Sequence, residues 1–518
     1  MKLNYLYFTV FASGMTTLAV ELTASRLLGA VFGTSNLVWA SIIGLILIYL
    51  TAGYFLGGRW ADRSPNPRTF YTILAWGAFT AGLVPLVAKP LLPLAAQAFD
   101  QLNFGVLAGS FVAVLVLFSV PITLLGTISP FAIRLALKRS SQAGTVSGRV
   151  YAISTLGSFV GTFLPVLFLI PLLGTTYTFL VFSLLLVGVA MIGLGLTDGA
   201  GRALRLAWMP LVLFLLAVFW ANSPFKRTRG QIYETESAYN YIEVLQDERG
   251  YTMLRLNEGQ GIHSIYHPTE LMYFGPWMQF LVAPFFNPDF APEDVRSMGI
   301  VGLAAGTTAR QATAVFGPIP IDGWEIDPKI ITIGRRYFDM NMPNLNPIAE
   351  DGRWGLAHST RSYTVIGIDA YRPPYIPWYL TTQEFFQIVY DRLDPNGALV
   401  INVARAPNDR QLLDGLAATV GTIFPSVHVM DIPGTFNSIL YATVQPTSFA
   451  NLAANLEALQ ARGDAHPLLV EAITRTLTYQ RPTPQTGTVF TDDLAPIEWI
   501  TNNMVLSFIL AGEAEALR

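Results

Sequence analysis

The first 220 positions carry apolar runs of about 18 to 25 residues between short polar breaks, long enough to cross roughly 30 Å of hydrocarbon as helices. Seven runs are read, at 4–31, 37–58, 69–88, 105–128, 151–173, 177–196 and 203–220. Lipid offers no partner to a free backbone N–H or C=O, so helices are the expected form. The first run lacks the short apolar core and small-residue cleavage site of a signal peptide, and is expected to remain a span. Small residues inside spans, as in "GTISP" and "STLGSFVGTF", suit close helix–helix approach. Glu21 and Arg26 interrupt the first run. Charges at such depth are either a structural ion pair or substrate contacts.

After "KRTRG" the pattern changes. Residues 231–266 alternate apolar and polar positions ("QIYETESAYNYIEVLQ", then "YTMLRLNEG") around a turn near Gly250, which predicts hairpin strands. From residue 298, the strand-like runs "MGIVGL", "IDGWEID", "YTVIGID" and "ALVINVA" alternate with helical stretches. That order predicts an open, mostly parallel α/β sheet, whose ligands bind beyond the carboxyl ends of the strands.

Three features fall at those ends. "GIVGLAAGTTARQA" is a strand, a small-residue turn and a helix, which brings backbone N–H groups close to a ligand or simply makes a tight turn. About 20 residues on, Glu325 of "GWEIDP" ends the next strand, where an acid accepts hydrogen bonds from ribose hydroxyls. Asp351 of "EDGRW" and Asp369 of "YTVIGID" are two acids at successive strand ends. Together they suggest an adenosine-type ligand.

Composition divides the chain in the same place. It has 518 residues, 52% hydrophobic and 13% charged, with a mean hydropathy of +0.44. Soluble domains carry about a quarter charged residues, so part of the chain belongs in a membrane. Residues 1–220 hold 12 Lys and Arg against 4 Asp and Glu; residues 221–518 hold 20 against 31. The acidic half suits cationic small molecules rather than nucleic acid. There is no cysteine, which excludes disulfides, thiolate metal sites and cysteine nucleophiles. The five histidines lack ligand spacing, and no metal is expected. Lys and Arg gather in three loops: Arg59, Arg63 and Arg68; Arg134, Lys138, Arg139 and Arg149; Arg202 and Arg205. The positive-inside rule places these in the cytoplasm, and a single span then carries the chain to the far side. Lys226, Arg227 and Arg229 argue for the opposite side. A multi-pass protein of the cell membrane with a cytoplasmic catalytic half is the expectation carried forward.

These residues carry a resemblance. Residues 231–445 resemble the polyamine aminopropyltransferases, the spermidine synthase family, through "QGIHSIY", "VGLAAGTTA", "WEIDPKIITIGRRYF", "EDGRW", "IDAYRPPYIPWYLTTQEFF" and, further on, "TDDLAPIEW". The first half, with "ELTASRLLGAVFG", "GGRWADR" and "STLGSFVGTFLP", is similar to the membrane domain fused to some bacterial members. The resemblance implies a transmembrane domain of about seven helices (1–222), a small β-hairpin subdomain (223–268) and a Rossmann-like, methyltransferase-type catalytic domain (269–518). It implies transfer of an aminopropyl group from decarboxylated S-adenosylmethionine to a di- or polyamine, with release of methylthioadenosine and no permanently bound cofactor. Membrane lipid, a polyamine and a second copy in a homodimer are the implied partners. Asp369 would deprotonate the amine. Gly302, Ala304, Gly306, Glu325, Asp351, Gly352 and His263 would hold the donor nucleoside. Tyr239, Tyr273, Glu236, Tyr371 and Asp492 are amine-side candidates, and Glu236, Glu270, Asp492 or Asp493 could hold the donor where the usual acid is missing. Three positions depart from the family pattern: Ala305 where an acid binds the donor's ammonium, Arg372 where a second acid follows the catalytic one, and His263 where glutamine is common. Two alternatives stay open: methyl transfer from S-adenosylmethionine, and a transporter or sensor with a nucleoside-binding domain.

Overall fold

The computed structural model describes residues 3–32, 36–101, 105–137, 139–221, 226, 228–257, 261–273, 275–371, 376–484 and 486–510. The chain forms two compact units, one of residues 1–228 with Glu234–Tyr241 and Asn257, the other of most of the remainder. The division falls within the strand region that the sequence assigns to a separate hairpin subdomain.

The first unit is helical: α1 (Leu3–Phe32), α2 (Asn36–Arg63), α3 (Pro67–Gln101), α4 (Gly105–Gly126), α5 (Ile128–Ala136), α6 (Ala143–Leu164), α7 (Ile170–Leu173), α8 (Thr175–Asp198), α9 (Ala200–Leu204) and α10 (Trp208–Leu216). A π-helical turn, Pro165–Leu169, joins α6 to α7. Among the described residues, seven segments are long and apolar enough to cross a membrane, and they match the seven runs read from the sequence. Helix α1 is central and packs on α2, α3, α4, α5, α6 and α8. Its closest neighbour is α6, because a Cβ on Gly157 or Gly161 would lie about 2 Å from the carbonyl oxygens of Phe11 and Met15. Outer positions of the α6–α7 stretch stay apolar, with Leu156, Phe159, Leu167 and Leu172 exposed.

The two ends of the bundle differ chemically. At one end Asp198 pairs with Arg202 (2.6 Å) and Arg68 (3.7 Å), and Asp62 pairs with Arg134 (3.2 Å). Arg149 lies over the ring of Tyr7 there, so the three basic loops and the start of α1 share that end. At the other end Arg26 donates to the carbonyl oxygens of Ser237 and Tyr239, and Lys89 Nζ donates to Trp220 O at 3.2 Å. The chain therefore leaves the bundle opposite the basic loops.

The strands that follow are β1 (Gln231–Glu236), which is divided between the two units, β2 (Tyr241–Gln246), β3 (Thr252–Leu256) and β4 (Ser264–Tyr266), an antiparallel meander over β2, β3 and β4 with the turn at Gly250. The second unit continues with β5 (Met298–Val301), α11 (Thr307–Phe316), β6 (Ile321–Glu325), α12 (Pro328–Tyr337), β7 (Leu345–Ala349), α13 (Gly352–His358), β8 (Tyr363–Ile368), α14 (Gln383–Asp391) and β9 (Leu393–Ala404). Then come α15 (Gln411–Gly421), β10 (Ser426–Asp431), β11 (Asn437–Thr443), α16 (Phe449–Arg462), α17 (Pro467–Thr478), β12 (Gln480–Arg481) and α18 (Ile497–Leu510). Eight strands make one sheet in the order β12-β10-β11-β9-β8-β5-β6-β7. The run β9-β8-β5-β6-β7 is parallel, and β10, β11 and β12 extend it antiparallel.

Alternation along the strands builds a core on each face. Met298 and Ile300 of β5 and Val365 of β8 join one apolar cluster with α11, α16 and α17. Val301, Ile366 and Ile368 join the other with α13, α14 and α15. The chain leaves β5 toward β6 on one side, and β8 returns to its other side. This switch in strand order opens a crevice at the carboxyl ends.

Candidate active site

The glycine-rich turn follows β5 and leads into α11, as the sequence suggests. Gly302 sits at φ +89°, Ala304 at +49° and Gly306 at +84°. At Gly302 this freedom is indispensable. A Cβ there would lie 2.5 Å from Asp369 O and 2.7 Å from Ala370 N, so the turn and the end of β8 touch backbone to backbone. Val301 pairs with Ile368 in the parallel ladder, which sets Gly302 beside Asp369.

Glu325 closes β6 and turns its carboxylate back to the same turn. One oxygen accepts from Ala304 N (3.0 Å) and the other from Asp327 N (3.0 Å). The side chain is buried, and burial raises its pKa to about 7 against the opposing pull of those backbone N–H groups. Asp369 stands just past β8. Burial raises its pKa to about 6, and Asn402 Nδ2, donating to Oδ1 at 3.0 Å, pulls the other way. No cationic side chain among the described residues contributes to either shift.

Asn402 is a site residue that the sequence reading misses. It is a buried amide on β9 that donates to Asp369 while its backbone oxygen accepts from Tyr371 Oη at 2.9 Å. Its own Oδ1 is buried without a partner among the described residues. That leaves an acceptor beside the carboxylate, able to take an N–H from an amine. The available signal was one polar residue inside the apolar run "ALVINVA". Burial also holds the Tyr371 hydroxyl well above its ordinary pKa.

The remaining donor-side candidates lie around the turn. Asp351 caps α13, its side chain accepting from Trp354 N at 3.0 Å, and Gly352 opens that helix against Val301. His263 precedes β4, is half-buried, and is held neutral by burial, which lowers its pKa to about 4. Ser264 and Thr307, also missed, staple β4 to the turn. Ala305 N donates to Ser264 Oγ (2.9 Å), Ile265 N donates to Thr307 Oγ1 (2.9 Å), and Thr307 Oγ1 donates to Ile265 O (2.8 Å). Ala305 itself is buried against Leu254, Ile330 and Phe338. The turn therefore presents no acid.

The amine-side candidates scatter. Tyr273 is buried, its hydroxyl donating to Glu270 O (2.6 Å) and accepting from His267 N (3.2 Å). The Glu270 side chain accepts from Tyr251. Asp492 is held by Arg353 through both oxygens (2.8 and 2.6 Å) and also accepts from Thr382 (2.7 Å). Asp493, beside it, is exposed. Glu236 and Tyr239 belong to the helical unit, where Glu236 accepts from Thr175 N (2.7 Å) and Oγ1 (2.6 Å) at the start of α8. Arg372 lies outside the described residues. Among the described residues no group of three or more His, Asp or Glu converges as a metal-ligand set.

The second unit is a Rossmann-like, methyltransferase-type α/β protein with Glu325 and Asp369 at its switch point. No family model matches the chain. Over 302 residues, 55% of this chain, it is 30% identical to a probable polyamine aminopropyl transferase of Bifidobacterium longum. It covers 65% of that protein, just under two thirds of its length. It is 26% identical over 304 residues to a polyamine aminopropyltransferase of Vibrio vulnificus, covering 97% of it. A probable spermidine synthase from Corynebacterium glutamicum superposes with a TM-score of 0.39 at 20% identity, over 45% of this chain and 88% of that one. The C-terminal half of the chain is homologous to the polyamine aminopropyltransferases, the spermidine synthase family.

Proposed function

We propose that the second unit transfers an aminopropyl group from decarboxylated S-adenosylmethionine to a di- or polyamine. The observation that carries this reading is the pair of acids, buried Glu325 and half-buried Asp369, flanking one glycine-rich turn with no cationic side chain among the described residues to neutralise them. Both reactants are cations, and such a crevice stabilises them on arrival. Glu325 takes the ribose hydroxyls, the Gly302–Gly306 turn lies under the nucleoside, and Asp351 with Gly352 lies beside the adenine. His263 borders the nucleoside from β4. Tyr371 and Asn402 shape the amine side, and Asp492 acts through Arg353 to hold the neighbouring segments in place.

An alkylammonium has a pKa of about 10.4 and no lone pair to attack with. Asp369 accepts its proton, and a carboxyl already raised to about 6 narrows the gap that proton must climb. The freed nitrogen lone pair forms the new C–N bond at the carbon next to the sulfonium. The C–S bond breaks, its electron pair returns to sulfur, and methylthioadenosine departs as a neutral thioether. Product analysis tests the reading: decarboxylated S-adenosylmethionine with a panel of amines is expected to yield methylthioadenosine and an elongated amine. S-Adenosylhomocysteine formed from S-adenosylmethionine instead would establish methyl transfer.

The helical unit is proposed to span a membrane. Its basic loops share one end and the chain exits at the other. The positive-inside rule then sets the exit on the extracytoplasmic face, opposite the side expected from the Lys226–Arg229 cluster. The chain has no cysteine, so Glu248→Cys gives a single reporter. Labelling of intact cells by a membrane-impermeant maleimide supports this side, and labelling only after lysis reverses it.

A further inference from the structure

Helix α1 carries a row of polar residues at every fourth position: Thr9, Ser13, Thr17, Glu21 and Ser25. Residues four apart lie one above the next on a helix, so the five form a continuous ridge. Thr9, Ser13, Thr17 and Ser25 are buried, on a helix surrounded by six others. This is not the lipid-facing pattern. The hydroxyls of Thr9, Thr17 and Ser25 donate to Tyr5 O (2.8 Å), Ser13 O (2.9 Å) and Leu22 O (2.8 Å). With their protons spent on the backbone, the Thr17 and Ser25 hydroxyls can only accept from a ligand, while that of Thr9 is already engaged by Tyr71. Thr16, fully buried next to the ridge, has an Oγ1 without a partner among the described residues.

Glu21 is the one charge on this ridge. It lies ten residues before Val31, about 15 Å from the end of the segment, well inside a hydrocarbon layer. Among the described residues its carboxylate makes no hydrogen bond or ion pair. Arg26 does not serve it, because its guanidinium holds the Ser237 and Tyr239 carbonyls. The π-helical turn Pro165–Leu169 packs on α1 as well, a local irregularity of the kind common at functional sites.

We propose that the helical unit binds a protonated amine along α1, with Glu21 as counter-charge and the buried hydroxyls as acceptors for its N–H groups. An acceptor-only ridge around one carboxylate matches a monovalent cation, and an alkylammonium satisfies several acceptors in a row. The choice of an amine over a metal cation rests on the aminopropyl-transfer reading; the cation site rests on α1 alone.

The test uses the full chain in proteoliposomes with radiolabelled spermidine and no nucleoside donor. The wild type is expected to take up spermidine above empty liposomes, and Glu21→Gln to lose about tenfold or more, since an intramembrane carboxylate has no neutral substitute for its charge. Thr17→Val is expected to lose severalfold while keeping the carboxylate. Methylthioadenosine formation by Glu21→Gln in detergent is expected within about twofold of wild type, which separates failure here from failure of the transferase reading. Equal uptake by wild type and Glu21→Gln, no uptake by the wild type, or uptake of labelled sodium ion alone would overturn the proposal.

Discussion

Two regions of one sheet hold their carboxylates in opposite ways. At the open edge, Asp369 and Glu325 meet only neutral donors among the described residues, and burial pushes their pKa values to about 6 and about 7. At the end of β10, Asp431 is buried too, yet Arg410 binds both its oxygens (3.0 Å each), with Arg405 at 3.2 Å and Arg481 at 2.8 Å. Burial alone would raise Asp431, but hydrogen bonds from Arg410 and Ser438 and the charges of Arg405 and Arg410 bring it down to about 2. A structural acid is given its counter-charge by the fold. An acid that must receive a cationic reactant is left without one, and the fold is less stable for it near neutral pH.

The signs follow from linkage. Asp431, depressed, contributes stability that is present above the unfolded carboxylate value near 4 and is lost as pH falls toward 2. Asp369 and Glu325, raised, favour folding in their neutral forms below about pH 4, and that contribution is lost as pH rises through 6 to 7.

The sharpest way to break the contrast is a matched pair of substitutions. Asp369→Asn is expected to lower kcat by about 10²- to 10⁴-fold, the range for a removed general base. It is also expected to raise unfolding free energy at pH 8 by about 2 kcal/mol, because a buried charge is gone. Asp431→Asn is expected to do the reverse. Three arginines lose their counter-charge, stability falls by about 3–5 kcal/mol in denaturant titration, and turnover per folded molecule stays near wild type. Should Asp431→Asn silence turnover without unfolding, the division between structural and functional acids fails.

Smaller changes sharpen it. Glu325→Gln replaces a charged acceptor by a neutral one and is expected to raise the donor KM by about 10- to 100-fold, consistent with about 1.5–3 kcal/mol for a charge-assisted bond. A similar loss in amine KM instead would move Glu325 to the other substrate. Asn402→Ala removes the one hydrogen bond that favours the charged form of Asp369, so the acid limb of the pH–rate curve is expected to move upward by about one pH unit. An unmoved limb would detach Asn402 from the base.

Much of this was legible in the sequence, for physical reasons that differ by element. Long apolar runs stand out against polar breaks, so seven helical segments could be read at once. Strand ends could be placed because "MGIVGL", "IDGWEID" and "YTVIGID" each pass from apolar run to turn residue or acid, and their acids do stand at one edge. Asn402 was not legible as a site residue, since β9 reaches Asp369 only through sheet pairing 33 positions away. The ties holding Glu236 to Thr175 and Asp492 to Arg353 span 61 and 139 positions, and no local pattern announces them. The sequence also invited a pairing of Glu21 with Arg26, five residues apart; a helix turns those positions away from each other, and Arg26 holds backbone carbonyls instead.

The most direct test of an uncompensated base at the sheet's open edge is the pH dependence of kcat/KM for the amine in the wild type. It is expected to fall below about pH 7, steepening from unit slope toward a slope of two below about pH 6, as Glu325 and then Asp369 take up protons. A profile with no acid limb above pH 4 would mean that these acids are ordinary carboxylates, and would contradict the account.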